Sequence, residues 1–158
     1  MDFLVSEKMQ AVIAMMTEFV DKELLPLEPE FLRKDFRELL PELAEKRRMV
    51  KQMELWAPNH PRDCGGMGLD LMEHALVSEV LGRSPLGHYV FGCQAPDAGN
   101  VEILHKYGTE AQKDKYLRQV IAGDLITAVG ITEPGAGSDV AGIRTTARRE
   151  GDEWVLNG

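Results

Sequence analysis

The residues of this chain best suited to chemistry lie in one short run, Ile131-Thr132-Glu133-Pro134-Gly135-Ala136-Gly137-Ser138-Asp139. Hydroxyls at Thr132 and Ser138 flank a proline and two glycines, and strand-like stretches lie on either side. Gly135 and Gly137 can take positive φ and let the main chain approach a ligand with no Cβ in the way. Consecutive exposed amides form a concavity that suits phosphate. The same composition also serves as a plain polar connector, and a Gly-x-Gly alone does not separate the two.

Composition narrows the ligands that such a loop could meet. The chain has 158 residues, enough for one domain with a real core or one domain plus part of another, and is 44% hydrophobic and 28% charged, as in ordinary globular proteins. A formal net charge of −8 argues against general nucleic-acid or anionic-membrane binding, so an anionic ligand must be held locally. Cys64 and Cys93 are far apart, and His60, His74, His88 and His105 show no metal-ligand spacing, so no disulfide framework or metal site is expected. The run beginning Met1-Asp2-Phe3 has neither a basic n-region nor an apolar h-region, which makes a cytoplasmic location the default expectation.

The elements that must position the loop change character along the chain. Apolar residues at Met9, Val12, Ile13, Met16, Phe19, Val20 and Leu24 predict a helix from Ser6 to about Leu25, ended by Pro26 and Pro29. A second helix is expected to begin at Pro41 and run to about Met53. Residues 57–68 hold two prolines and three glycines and predict a loop. Capping boxes at Asp70/Glu73 and Thr109/Gln112 predict helix starts, with stops at Gly82 and Gly123, while residues 87–99 are ambiguous. Leu125–Thr132, Ile143–Arg148 and Trp154–Leu156 read as strands, with a turn at Glu150-Gly151-Asp152. Asn157-Gly158 is itself a hairpin signal, so the expectation is a longer protein cut as a β-domain begins.

Thr132-Glu133-Pro134-Gly135-Ala136-Gly137-Ser138-Asp139, with Ala141–Ala147 and Gly151–Gly158, resembles the signature region of the acyl-CoA dehydrogenase family. Cys64-Gly65-Gly66-Met67-Gly68-Leu69, Glu79–Arg83 and Tyr107–Lys113 resemble its upstream segments, so the resemblance covers essentially the whole chain. It implies a mainly α fold: an up-down, bundle-like amino-terminal helical domain over 1–124, then the first strands of a β-barrel-like central domain over 125–158.

The resemblance also implies FAD as cofactor and α,β-dehydrogenation of an acyl-CoA thioester, with a carboxylate taking the α-proton and the β-hydride passing to flavin N5. By position, the Ile131 and Thr132 backbones would meet the flavin edge, the Thr132 hydroxyl would lie near N5, and Gly137 and Ser138 would lie at the FAD phosphates, with Ser138 also facing the substrate. Val129 stands where many relatives carry an aromatic residue against the flavin. Glu133 is not the family's base, which belongs to a carboxy-terminal domain, so this segment alone is expected to be inactive. Gln94-Ala95-Pro96-Asp97-Ala98-Gly99-Asn100 departs from the Gly- and Leu-rich helix of short- and medium-chain members; Asp97 and Asn100 could shape the acyl pocket, or Asp97 could cap a helix. It is closer to the branch with members fused to a kinase-like domain. An electron-transfer flavoprotein and a homo-oligomer are the implied partners. An acyl-CoA oxidase, a flavin monooxygenase and a non-catalytic helical interaction module are the alternatives.

Overall fold

The computed structural model describes residues 4–158; Met1-Asp2-Phe3, the start of the run read as lacking a targeting signal, lies outside the described residues. The chain divides into two units, one up to Thr127 and the other Ala128–Gly158. The fold is mostly helical, with a short two-stranded antiparallel sheet at its end.

Helix α1 covers Glu7–Phe19, and the Ser6 hydroxyl accepts from the Met9 amide at 3.2 Å, satisfying one of the free donors of the first turn. Its apolar stripe buries Met9, Met16 and Phe19. The prolines do not end the helical path where expected. A π-type turn over Val20–Leu24 runs into a 3₁₀ turn, Leu25–Leu27, and then into α2, Glu28–Phe31. Pro26 and Pro29 each sit in the first turn of the segment that holds them, where a missing N–H costs nothing.

Helix α3 covers Phe36–Gln52 and starts five residues before the expected Pro41, which lies inside it. The start is set by a capping box: Asp35 accepts from the first turn, and Glu38 reaches back to the Asp35 amide. Helix α4, Leu71–Leu81, begins at the expected Asp70/Glu73 box and ends at Gly82. It packs against α1.

The ambiguous stretch resolves into α5, Gly87–Val90, and α6, Asp97–Tyr107. Thr109 and Gln112 cap α7, Glu110–Gln112, which continues through a π-type turn into α8, Arg118–Ala122. Gly123 closes α8 with φ +78°, as its place after Ala122 predicts.

One buried cluster joins these helices, with Met16, Val20, Leu24, Leu43, Val50, Val77, Leu81 and Phe91 at or near zero exposure. Phe19 and Phe91 meet edge to face at 5.4 Å. Around Trp56 the core becomes polar in a controlled way. Trp56 Nε1 donates to the Ile121 carbonyl at 2.6 Å, Lys51 Nζ to Ala122 at 2.7 Å, and Arg47 to Gly123 at 3.3 Å. These donors satisfy three successive carbonyls at the end of α8, two of them through cations that complement the helix dipole. Arg47 also stacks on the Trp56 and Tyr89 rings, 4.8 and 4.6 Å from their centroids.

In the second unit, β1 (Thr146–Glu150) and β2 (Glu153–Asn157) pair antiparallel, with Ala147 opposite Leu156 and Arg149 opposite Trp154. Gly151, at φ +65°, makes the predicted turn. The expected strand over Leu125–Thr132 does not form: no described residue pairs with it. Strand propensity measures fit to a neighbouring strand, and β-branched residues do not make one without it. Among the described residues, no helix is long and apolar enough to cross a membrane.

Candidate functional site

The signature run folds as a tight reverse turn. Glu133 and Ala136 exchange two backbone hydrogen bonds, at 3.0 and 3.1 Å, around Pro134-Gly135. Proline is suited to the second position of such a turn because its φ is already set. Ala136 is buried at 3% exposure and Glu133 is half-buried, while the rest of the loop is exposed. Gly135 and Gly137 do not take the positive φ that the sequence allowed them. A Cβ at either would meet nothing within 4 Å.

Glu133 has a clear structural task. Its carboxylate accepts from the amides of Arg144 at 2.9 Å and Thr145 at 2.8 Å, and from the Thr145 hydroxyl. The Thr145 hydroxyl bond, helped by the two amides, holds its carboxyl below the usual range. Such a carboxylate is a poor proton acceptor, and its oxygens are already occupied by the chain that leads into β1.

The amides of Ile131, Thr132, Gly137 and Ser138 donate to no acceptor among the described residues. Val129 and Ile131 are about half exposed, and Thr132 and Ser138 are exposed. These five residues thus form a stretch of unpaired donors, two hydroxyls and two apolar side chains. Unpaired amides of this kind hold anions or ring acceptors; they do not themselves move protons.

In the helical unit, sequence reasoning missed the use made of Asp97. It caps no amide of α6. Its Oδ1 accepts from the Thr127 amide and hydroxyl at 2.7 and 2.6 Å, its Oδ2 from Gln94 Nε2 at 3.2 Å, and Asn100 Nδ2 donates to the Thr127 hydroxyl at 2.8 Å. The Asp-x-x-Asn spacing, one helical turn, was the available signal.

Two other features lie in the helical unit. An open cleft of about 860 Å³ is lined by Met9, Met53, Leu55, Trp56, Met67 and others, and none of the five loop residues belongs to it. Asp63, Cys64 and His105 bring one donor atom each to within 4.8 Å of one another. Burial, then Asp63, push the Cys64 thiol up, while Arg118 and Lys113 pull the other way; those two cations would equally repel a metal ion.

Residues 6–124 match the family model of the acyl-CoA dehydrogenase amino-terminal domain. The (R)-benzylsuccinyl-CoA dehydrogenase of Thauera aromatica is 38% identical over 168 aligned residues, covering 100% of this chain and 41% of that protein. A Bacillus anthracis acyl-CoA dehydrogenase solved with FAD superposes with a TM-score of 0.73 at 30% identity, over 98% of this chain and 26% of that one. A Mycobacterium abscessus structure assigned as an acyl-CoA dehydrogenase reaches a TM-score of 0.89 at 36% identity, over 99% of this chain and 42% of that one. The fold is that of an acyl-CoA dehydrogenase amino-terminal domain. The chain belongs to the acyl-CoA dehydrogenase family, and it spans about two fifths of the length of the Thauera relative.

Proposed function

We propose that this chain is the amino-terminal part of an FAD-dependent acyl-CoA dehydrogenase, which removes the α-proton and the β-hydride of an acyl-CoA thioester. The observation that carries this reading is the signature loop itself, with four unpaired amides and two glycines whose missing Cβ atoms no protein atom requires. A glycine with nothing around it has no internal reason to be glycine, and close backbone approach to a ligand supplies one. FAD, when bound, supplies the hydride acceptor.

In this reading the Ile131 and Thr132 amides meet ring acceptors of the flavin, and the Thr132 hydroxyl adds a donor beside them. Gly137 and Ser138 offer amides to the pyrophosphate, and Ser138 also faces the acyl-CoA. Val129 and Ile131 give apolar contact without an aromatic stack. Glu133 does not take the base role in this reading, because its carboxylate is committed to the chain at 144–145. An electron-transfer flavoprotein as acceptor, a homo-oligomeric whole protein and a cytoplasmic location complete the proposal. An acyl-CoA oxidase or flavin monooxygenase on the same fold would keep every contact above and differ in the electron acceptor.

Gly137→Val separates a ligand contact from a structural one. Gly137 is exposed and not at positive φ, so the unfolding free energy of the 158-residue chain should stay within about 0.5 kcal/mol of wild type. In a polypeptide of the relatives' full length containing this segment, FAD affinity measured by fluorescence titration should fall about tenfold or more, the loss expected for one displaced charge-assisted hydrogen bond. Unchanged affinity would remove Gly137 from the cofactor site.

A further inference from the structure

We propose that Asp97 is a positioning residue: with Gln94 and Asn100 it clamps Thr127 and so fixes the point at which the chain leaves the helical unit for the flavin-facing loop. The inference rests on the flavin reading above. It adds a role for four residues outside the signature.

The hydrogen bonds close on themselves. The Thr127 hydroxyl donates to Asp97 and accepts from Asn100, and the Thr127 amide donates to the same carboxylate oxygen. The second carboxylate oxygen is taken by Gln94. All four side chains are half-buried, where a charge-assisted bond is stronger than in water and an orphaned carboxylate is costly. Asp97 stands at the first position of α6, whose amino-terminal dipole favours a negative charge there.

Thr127 is also the last residue of the helical unit. From it to Ile131 the chain has four residues, a reach of at most about 14 Å. Among the described residues, no strand pairing holds that segment; the Leu125 amide donates to the Gln119 carbonyl at 3.2 Å, and the clamp two residues later is the last hold on the chain before the loop. A loop whose donors must meet a rigid ring tolerates little displacement of its root. Because both carboxylate oxygens are engaged within the clamp, Asp97 is not free to contact an acyl chain. The clamp therefore replaces the acyl-pocket reading of this residue.

The test uses Asp97→Ala, Thr127→Val and the conservative Thr127→Ser. In the 158-residue chain, hydrogen exchange at the Thr127 amide should accelerate about tenfold or more in Asp97→Ala, with the α4 and α8 amides unchanged. In the polypeptide of the relatives' full length, Asp97→Ala and Thr127→Val should weaken FAD binding about tenfold and lower kcat with little change in KM, while Thr127→Ser restores wild-type values. Acceleration across all helices would make Asp97 a general stability residue and overturn the proposal. So would a freed Thr127 with unchanged FAD affinity. If the wild-type polypeptide binds no FAD, the flavin reading falls by itself, and the positioning role falls with it even where the exchange result confirms the clamp.

Discussion

Trp56→Ala is expected to destabilise the chain by about 3–5 kcal/mol, the range for removing a large buried aromatic side chain. Trp56 is 7% exposed and holds the end of α8 through its bond to the Ile121 carbonyl. Its loss opens a cavity, leaves that carbonyl without its partner, and removes the surface on which Arg47 and Lys51 stack at 4.8 and 4.6 Å. Against a typical total of about 5–15 kcal/mol, this is a large fraction of the stability. Urea unfolding followed by far-UV circular dichroism measures it. Trp56→Phe keeps most of the packing and should cost about 1–2 kcal/mol for the lost indole N–H. Trp154→Ala, at a position 66% exposed, should change stability by no more than about 0.5 kcal/mol. A cost below about 1 kcal/mol for Trp56→Ala would contradict the role given to this residue.

Mild acid should weaken the helical unit through His60, the second large effect. Burial lowers the His60 imidazole to about 4, His74 adds to the shift, and Asp97 and the Gly92 backbone only partly offset it. The side chain belongs to a residue 2% exposed. A histidine depressed in the folded state stays neutral there, while in the unfolded chain it takes a proton near pH 6.5. Its contribution is therefore full above about pH 6.5, falls as the pH drops toward 4, and amounts to about 3 kcal/mol across that window. His74 and His88, also lowered by burial, act in the same direction. The exposed carboxylates held low by ion pairs, Glu18, Glu45 and Glu102, matter only below about pH 4.5 and leave most of the window to the histidines. Unfolding free energy measured from pH 7 to 4.5 should fall steadily, with a shallower slope in His60→Gln. Equal slopes would show that His60 is protonated in both states or in neither.

What could be read in advance follows from how local each signal is. The Asp70/Glu73 and Thr109/Gln112 boxes and the stops at Gly82 and Gly123 depend on residues within one helical turn, and the structure keeps all of them. The equally local Asp35/Glu38 box was hidden because Pro41 offered a competing start, yet a proline early in α3 forfeits only one backbone bond. Helix α6 was obscured by Pro96, Gly99 and Asn100, residues of low helix propensity whose cost is offset where the helix packs on the segments around α8. The loop's chemistry was visible as residue types, but the fate of the Glu133 and Asp97 carboxylates was not. Glu133's partners lie 11 to 12 residues away and Asp97's partner Thr127 lies 30 away, separations that no periodicity encodes; only the one-turn spacing of Gln94, Asp97 and Asn100 was local.

The most direct test of the central claim, that this segment builds one wall of a flavin site and holds no base, is anaerobic titration with a panel of acyl-CoA thioesters. The polypeptide of the relatives' full length containing this segment, loaded with FAD, should lose its visible flavin absorbance with at least one thioester. Glu133→Gln should do so at a similar rate, and the absorbance should return slowly in air. Rapid return in air would favour the oxidase or monooxygenase alternative. Failure to hold FAD, or loss of the bleaching in Glu133→Gln while FAD stays bound, would contradict the claim.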